Sequence, residues 1–354
     1  MPILVLFALL AGALTAAPAS TALFTAGQDG YSSYRIPAIV KSKKGTLLAF
    51  VEGRRTGRND WGDIDILLKR STDNGKTWSP TLTVADFDRD TIGNPAPVVD
   101  RRTGTIWLLL TRNPGDVPEK NIQPGVSGPT RTVWITHSKD DGRTWATPVD
   151  ITRSVKRPEW SWYATGPVNG IQTKSGRLVI PCDHDRDHKH YSHVIYSDDA
   201  GQTWQIGGIV GPGANESTIA EATDGTLVFN LRSYRGVNRR LVAVSRDGGQ
   251  TFEEPRNDDT LIEPICQGSL LRFGKFLLFS NPASKKRENM TVRLSRDNGK
   301  TWAHTKTIHA GPAAYSNLIE LNKKEIGLLY ERGDKTPYDT ITFAVIPLKE
   351  LTAK

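Results

Sequence analysis

The sequence predicts an all-β fold, a single six-bladed β-propeller, on three observations. An octapeptide of the form S-x-D-x-G-x-T-[WF] occurs five times, and a strand-like apolar run precedes each copy. Few stretches have helical periodicity. The copies begin at Ser71, Ser138, Ser197, Ser245 and Ser295. A repeat of roughly 50 to 65 residues with about four strands is typical of a propeller blade.

The octapeptide itself predicts a hairpin turn. Its Asp can accept backbone N–H groups, its Gly can take a positive φ, and its Trp or Phe can pack back onto the sheet. The copies start 48 to 67 residues apart while the motif stays constant, which indicates a fixed turn on units with variable loops. We expect these turns to be structural, to lie on the outer rim and to carry no chemistry.

The chain length fits six such units. Chain length alone would predict two domains. Because no Pro/Gly/Ser-rich linker or change in composition divides the chain, we predict one domain over residues 20–354. The sixth unit lacks the octapeptide. We expect it to form when N-terminal residues pair with the last strand-like run, TITFAVIPL at residues 340–348.

Residues 1–19 resemble an export signal. An apolar run, ILVLFALLAGAL at residues 3–14, precedes the small residues TAAPAS, which predicts cleavage near Ala17 or Ala19. Only the α-amino group supplies positive charge before the run, so an uncleaved anchor or a misassigned start codon are the alternatives. No later segment approaches the ~20 apolar residues of a transmembrane helix. We predict a secreted or periplasmic protein with no membrane-spanning segment in the mature chain.

The composition is that of a folded soluble protein, with 37% hydrophobic and 24% charged residues. The net charge of +8 is spread among acids and forms no basic block, so nucleic acid is not a predicted partner and an anionic small substrate fits at least as well. Two cysteines exclude a disulfide scaffold. Cys182 and Cys266 lie in apolar runs and are predicted to be buried free thiols, with a disulfide as the alternative.

The repeats resemble the Asp boxes of sialidases (neuraminidases), and YRIP at residues 34–37 resembles the motif that opens the sialidase fold. The resemblance extends from about Phe24 to Leu348. It implies an exo-α-sialidase that hydrolyses terminal α-linked sialic acid from glycoproteins, glycolipids or oligosaccharides, with no cofactor and no metal. The sialylated glycan would then be its partner; the oligomeric state is left open.

The chemistry of a sialoside indicates which side chains such an enzyme needs. A carboxylate on the anomeric carbon is best held by arginines, whose planar guanidinium meets it bidentately. The same anion repels a carboxylate nucleophile, and sialidases use a tyrosine instead. A nearby Glu can take the phenol proton, and a separate carboxylic acid must protonate the leaving oxygen.

The resemblance assigns three catalytic residues. The acid/base is Asp60 in EGRRTGRNDWGDID, the carboxylate that activates the nucleophile is Glu216 in GANESTIAE, and the nucleophile is Tyr315 in AAYSNL. Each carboxylate has rivals close by in the chain. These rivals are Asp63 and Asp65 for Asp60, and Glu221 for Glu216.

Five further residues are assigned to substrate binding. The three carboxylate-binding arginines are Arg35 of YRIP, Arg232 in FNLRSYRG and Arg287 in NPASKKRENMTV. Arg54 is an additional substrate-contacting arginine, and Asp183 is a residue of the pocket wall. Neighbouring basic residues are the alternatives: Arg235, Lys285 and Lys286. Weaker candidates for the pocket are Asn94, Tyr163 and His184.

The tract DHDRDHKHYSH at residues 183–193 holds four of the seven histidines. His184 and His188 have the spacing of zinc ligands on a helix, but the tract joins two strand-like runs, so we predict a solvated hairpin loop without a metal. Two alternatives to a hydrolase use the same fold. One is a non-catalytic Asp-box propeller that binds glycans or proteins, and the other is a trans-sialidase.

Overall fold

A computed structural model describes residues 19–352 of the chain, and these residues form an all-β fold. The predicted signal peptide, residues 1–19 with cleavage near Ala17 or Ala19, lies outside the described residues except for Ala19. Between residues 19 and 352 there is no helix with the length and apolar character needed to cross a membrane.

Strands alternate with tight turns along the whole described chain. The strands are β1 (Ser20–Thr25), β2 (Ser33–Lys41), β3 (Leu47–Arg54), β4 (Ile64–Ser71), β5 (Leu82–Ala85), β6 (Thr91–Val99), β7 (Ile106–Asn113), β8 (Thr132–Ser138), β9 (Val149–Asp150), β10 (Tyr163–Thr165), β11 (Ile171–Gln172), β12 (Leu178–Arg186), β13 (Lys189–Ser197), β14 (Gln205–Val210), β15 (Ala214–Glu221), β16 (Leu227–Ser233), β17 (Arg239–Ser245), β18 (Arg256–Ile262), β19 (Ser269–Phe273), β20 (Phe276–Pro282), β21 (Glu288–Ser295), β22 (His304–Asn322), β23 (Glu325–Arg332) and β24 (Thr340–Pro347). The short helices are a 3₁₀ turn (Glu119–Asn121), α1 (Thr152–Val155) and α2 (Lys349–Thr352).

The strands form four hydrogen-bonded sheets in which chain neighbours are mostly sheet neighbours. The orders are β2-β3-β4-β6-β7-β8-β9 with β5 also on β4, β10-β12-β13-β14 with β11 also on β12, β15-β16-β17-β18, and β1-β24-β23-β22-β21-β20-β19. The pairings are antiparallel except for a single parallel contact of Ile64 with Thr91 that links β4 to β6. The sheets are therefore successive antiparallel meanders.

All five octapeptides begin on the last residue of a strand, at the ends of β4, β8, β13, β17 and β21. In the first copy Asp73 Oδ1 accepts the Thr77 N–H at 2.9 Å, and Ser71 Oγ accepts the Gly75 N–H at 2.8 Å. Gly75 has φ +86°, and a Cβ there would lie 2.2 Å from the Phe343 ring. The predicted turn chemistry is confirmed, and Gly75 is required both by its φ and by close packing.

The two ends of the described chain meet in one sheet. Strand β1 pairs antiparallel with β24, from Ser20 opposite Ala344 to Thr25 opposite Thr340. This confirms the predicted pairing of N-terminal residues with the last strand. Apolar side chains from both ends share one cluster, which includes Leu23, Phe24 and Phe343.

Six strands, drawn from the four sheets, contact one another in succession. Strand β2 packs against β6, β6 against β11, β11 against β15, β15 against β19, β19 against β22, and β22 against β2. Strand β22 is long because its first part pairs with β21 and its second part with β23.

Both cysteines are buried and free, as predicted. Burial raises the pKa of the Cys266 thiol to about 11. The thiols therefore pack as small apolar groups.

The histidine-rich tract differs from its prediction. Strands β12 and β13 run through it and leave only Asp187 and His188 as the turn, with φ 51° and 57°. His184 and His193 are buried against Trp160, whose ring stacks on that of His184 at 3.5 Å. The expectation of a solvated loop is wrong because these imidazoles fill space between aromatic side chains. No group of three or more metal-ligating side chains occurs within residues 19–352.

The paired imidazoles predict acid-sensitive stability. His184 Nδ1 lies 3.0 Å from His193 Nδ1, a hydrogen bond that requires an unprotonated nitrogen. Burial, and then Arg157, lowers the pKa of His193 to about 3, against about 6.5 in an unfolded chain. Unfolding therefore takes up a proton between pH ~6.5 and ~3, and stability falls with pH by about 1.4 kcal/mol per unit for this histidine.

The prediction is tested by urea unfolding between pH 7 and pH 4. His193→Gln should be less stable at pH 7 and should show a shallower loss of unfolding free energy as the pH falls. His188→Asn, at the exposed turn position, serves as the control and should retain the slope of the unsubstituted protein. Equal slopes for His193→Gln and the unsubstituted protein would contradict the assignment of a neutral His193.

Candidate active site

All eight predicted site residues line one polar pocket of about 140 Å³. Six of them lie on strands: Arg35 on β2, Arg54 on β3, Asp183 on β12, Glu216 on β15, Arg232 on β16 and Tyr315 on β22. Asp60 lies in the loop between β3 and β4, and Arg287 in the loop before β21. The structure therefore brings together residues that are up to 280 positions apart in the chain.

A tyrosine and a glutamate form the base of the pocket. The Tyr315 hydroxyl donates a hydrogen bond to Glu216 Oε1. Arg232 Nη1 donates to Glu216 Oε2 at 2.7 Å and to the Tyr315 hydroxyl at 3.3 Å. Burial, and then the charge of Glu216, raises the pKa of Tyr315 well above its usual range. The phenol is therefore neutral, with a proton acceptor in contact with it.

Three guanidinium groups surround the tyrosine. The Cζ atoms of Arg35 and Arg287 lie 5.0 and 5.5 Å from the centre of the Tyr315 ring, and Arg232 bonds its hydroxyl. Arg287 Nη1 also donates to the Tyr338 hydroxyl at 2.8 Å. Three fixed positive charges with only partly used donors make this end of the pocket a binding site for an anion.

Asp60 lies at the mouth of the pocket, with its side chain 50% exposed. Its Oδ1 lies 2.7 Å from Arg54 Nη2 and 4.0 Å from Arg35 Nη1. Burial alone would raise the pKa of Asp60, but the charges of Arg54 and Arg35 outweigh it and hold the pKa below its usual value. The carboxyl is therefore ionised in the unliganded pocket.

The rival residues lie elsewhere. Asp63 pairs with Arg55 at 3.1 Å, and Asp65 is buried with the Tyr31 hydroxyl at 2.7 Å. Glu221 accepts the Lys174 N–H, and Arg235 donates to the Pro255 carbonyl. Neither these four nor Lys285 and Lys286 line the pocket.

Asp183 lines the pocket wall and is fully buried. Its Oδ1 accepts Trp162 Nε1–H at 3.1 Å and Asn215 Nδ2–H at 3.2 Å, and its Oδ2 has no protein partner. Burial, and then the charges of Glu216 and Asp185, raises the pKa of Asp183 well above its usual range. The raised pKa favours the uncharged carboxylic acid at Asp183.

The weaker candidates separate into two groups. Asn94 lines the pocket. Tyr163 and His184 do not; both are buried, and the Tyr163 hydroxyl lies 3.1 Å from His193 Nε2.

Three buried charges that support the site were not predicted. Glu331 accepts Arg35 Nε–H at 2.7 Å, Ile36 N–H at 3.0 Å and Tyr315 N–H at 3.1 Å. Glu52 accepts Arg54 Nη2–H at 2.6 Å and Asn94 N–H at 2.8 Å. Arg131 donates to Asn94 Oδ1 and to Asn113 Oδ1. A signal was present for both acids, since each interrupts an apolar strand, where a charge needs a partner.

Other pocket residues were also missed by sequence reasoning. They are Glu119, Asn215 and Tyr234. These residues carry no distinctive sequence pattern, and the fold alone brings them to the pocket.

Comparison with known proteins gives consistent matches. The profile of the BNR repeat-like domain family matches residues 45–329. The sialidase of Bacteroides fragilis is 33% identical over 92% of this chain and 64% of its own, and an exo-alpha-sialidase of Aspergillus fumigatus is 34% identical over 85% and 79%. The solved structure of a Hadza microbial sialidase, 32% identical, superimposes with a TM-score of 0.87 over 94% of this chain and 69% of its own.

The fold and the pocket thus define a BNR-repeat protein with an anion-binding site. The profile match and the relatives show that the chain belongs to the sialidase family of glycoside hydrolases. The resemblance inferred from YRIP and the Asp boxes is confirmed. The chain spans 64% of the length of the Bacteroides fragilis relative and 53% of that of a Micromonospora viridifaciens sialidase.

Proposed function

We propose that this protein is an exo-α-sialidase that hydrolyses terminal α-linked sialic acid from glycoproteins, glycolipids or oligosaccharides. The observation that carries the proposal is a single pocket that joins the Tyr315–Glu216 pair, three converging arginines and the half-exposed Asp60. An anion-binding end, a nucleophile with its base and a separate carboxyl group are the components that sialoside cleavage requires.

The proposed reaction retains the anomeric configuration. The arginines Arg35, Arg232 and Arg287 hold the substrate carboxylate. Glu216 takes the phenol proton as Tyr315 attacks the anomeric carbon, and Asp60 gives a proton to the leaving oxygen as the glycosidic bond breaks. Asp60 then removes a proton from water as the water attacks the anomeric carbon. The bond to Tyr315 breaks, Glu216 returns the proton to the phenol oxygen, and sialic acid is released. Two inversions at the same carbon give net retention.

Substrate binding supplies a reason for Asp60 to become protonated. In the unliganded pocket Arg54 and Arg35 keep it ionised. A bound carboxylate neutralises part of this positive charge and adds a negative charge nearby, and both effects raise the pKa of Asp60. Binding of the substrate carboxylate to the arginines would thus favour the protonated form of Asp60, which is the form that can act as the acid.

We further propose that the sheets form a six-bladed propeller of one domain over residues 20–354. The succession of contacts among β2, β6, β11, β15, β19 and β22 supports a ring of six blades, and the β1–β24 pairing supports its closure. Export through residues 1–19, and a secreted or periplasmic location, remain predictions.

The test is incubation with α2,3-sialyllactose, with NMR detection of the sugar released. We expect free sialic acid that appears first as the α-anomer. Transfer to an added acceptor sugar instead of water would identify a trans-sialidase, and binding without release would identify a glycan-binding module.

Replacement of the proposed acid sharpens this test. Asp60→Asn should lower kcat/KM on sialyllactose by about 10²–10⁴-fold, and much less on an aryl sialoside, because a good leaving group needs little protonation. Asp63→Asn, three residues away and outside the pocket, is the control and should retain both activities. Equal losses of Asp60→Asn on the two substrates would contradict the acid role.

A further inference from the structure

A second cavity, here called the groove, opens beside the candidate active site with a volume of about 710 Å³. Glu119 and Trp162 line both the groove and the pocket. A molecule bound in the pocket can therefore extend directly into the groove. The groove was not predicted from the sequence.

The groove lies on the side from which the proposed reaction expels its leaving group. Trp61, which lines the groove, directly follows Asp60. Under the proposed function, on which this inference rests, Asp60 protonates the leaving oxygen. The sugar attached to that oxygen must therefore lie next to Asp60, at the mouth of the groove.

Two indole rings give the groove a surface suited to a sugar ring. Trp61 and Trp162 are both partly exposed. The Trp162 ring is held in place, because its Nε1 donates to Asp183 at 3.1 Å and the Arg131 Cζ lies 4.1 Å from its centre. A fixed aromatic face packs well against the C–H groups of an uncharged pyranose.

The charge of the groove is predominantly negative. Its carboxylates are Glu119, Glu159, Asp185 and Asp187, and its lysine is Lys120. Two of the carboxylates have cationic or titratable neighbours: Asp185 Oδ1 lies 2.7 Å from His190 Nδ1, and Asp187 Oδ2 lies 3.9 Å from Arg186 Nε. Glu119 and Glu159 are exposed toward solvent. The pocket attracts an anion, whereas the adjoining groove repels one.

We propose that the groove binds the sugar from which sialic acid is released, and that it selects an uncharged sugar. Sialic acid linked to a neutral hexose is then cleaved in preference to sialic acid linked to a second sialic acid. In the latter substrate the second carboxylate would enter the groove among these carboxylates. The selection is electrostatic, so it weakens when salt screens the charges.

The selectivity is tested with α2,3-sialyllactose and the α2,8-linked disialic acid. We expect kcat/KM on sialyllactose to exceed kcat/KM on disialic acid by at least tenfold in about 20 mM salt. The ratio of these two kcat/KM values should fall several-fold in about 0.5 M salt. If sialic acid is released from neither substrate, the proposed function fails. If both are cleaved with equal efficiency, or if salt does not change the ratio, the proposed function stands and this inference is overturned.

Two double variants with the same change in net charge, one in the groove and one outside it, distinguish an effect of the groove from an effect of the net charge of the protein. Glu159→Lys with Asp187→Asn should narrow the ratio of kcat/KM between sialyllactose and disialic acid at least fivefold, by raising kcat/KM on disialic acid. The matched control, Glu320→Lys with Glu254→Gln, makes the same change in net charge at exposed positions outside the groove. An equal narrowing in the control would overturn the inference.

The aromatic part of the proposal has its own variant. Trp61→Ala should raise KM for sialyllactose several-fold while leaving KM for the α-methyl sialoside nearly unchanged, because a methyl group does not reach the groove. An equal rise in KM for both substrates would indicate damage to the pocket and would overturn the assignment of Trp61 to the leaving sugar.

Discussion

Tyr315→Phe is expected to lower turnover of α2,3-sialyllactose by on the order of 10³-fold or more, with affinity for an uncleavable sialic acid analogue changed only a few-fold. The phenol oxygen is the only atom removed. Arg35 and Arg287 beside the ring keep their contacts, as does the Tyr315 N–H that bonds Glu331. Arg232 loses its hydrogen bond to the hydroxyl but keeps the one to Glu216. Steady-state kinetics and calorimetric binding measure the two quantities separately.

Tyr234→Phe is the matched control for the loss of a phenol. Its hydroxyl also lines the pocket and accepts a hydrogen bond from Arg232 Nη2 at 2.5 Å, but it does not contact Glu216. We expect it to lose no more than about tenfold in turnover. If Tyr315→Phe turned over sialyllactose as well as this control does, the proposed nucleophile would be wrong.

Glu331→Ala is expected to destabilise the protein by about 3–5 kcal/mol, because it leaves the buried Arg35 without its nearest counterion. Glu331 is fully buried and accepts three hydrogen bonds, two of them from the backbone. Its loss also frees Arg35 and Tyr315 from a shared anchor. Turnover should therefore fall even at temperatures where the variant remains folded.

Urea unfolding and kinetics at 20 °C test the two parts of this prediction. Asp141→Asn is the control, because it removes a carboxylate that is paired with Arg70 at 3.2 Å and does not line the pocket. This control should lose stability and retain kcat/KM. A Glu331→Ala variant with unchanged activity and stability would show that Arg35 does not depend on Glu331.

The parts of the fold that sequence predicted are those with a strong local signal. Each Asp box carries its own Ser, Asp, Gly and Thr, so its turn forms from contacts within eight residues, as in Ser71, Asp73 and Gly75. The pairing of β1 with β24 was predicted because the chain length fits six units but only five carry the octapeptide, so the sixth was expected to combine both ends of the chain. The eight site residues were found because a resemblance assigned them, and the structure places all of them around one pocket.

The residues that sequence missed depend on contacts between distant strands. Glu331 and Arg35 are 296 positions apart, and nothing near either residue identifies its partner. Arg131 resembles any strand-end arginine until the fold places Asn94 beside it. The histidine-rich tract was misassigned for a similar reason. Its polarity predicts solvent exposure, whereas Trp160 and Tyr163, from outside the tract, pack against His184 and His193 and help to bury them.

The β1–β24 pairing has a consequence for how the protein folds. During synthesis β1 is the first described strand to emerge and β24 is the last, so Leu23 and Phe24 have no native partners on β24 until residues 340–347 have been made. Contacts between segments so far apart in sequence form slowly. Truncation at either end would leave an unpaired strand edge, on β24 or on β23, that invites pairing between molecules. Full-length synthesis is therefore the condition for the β1–β24 pairing, and incomplete chains should aggregate rather than accumulate as soluble fragments.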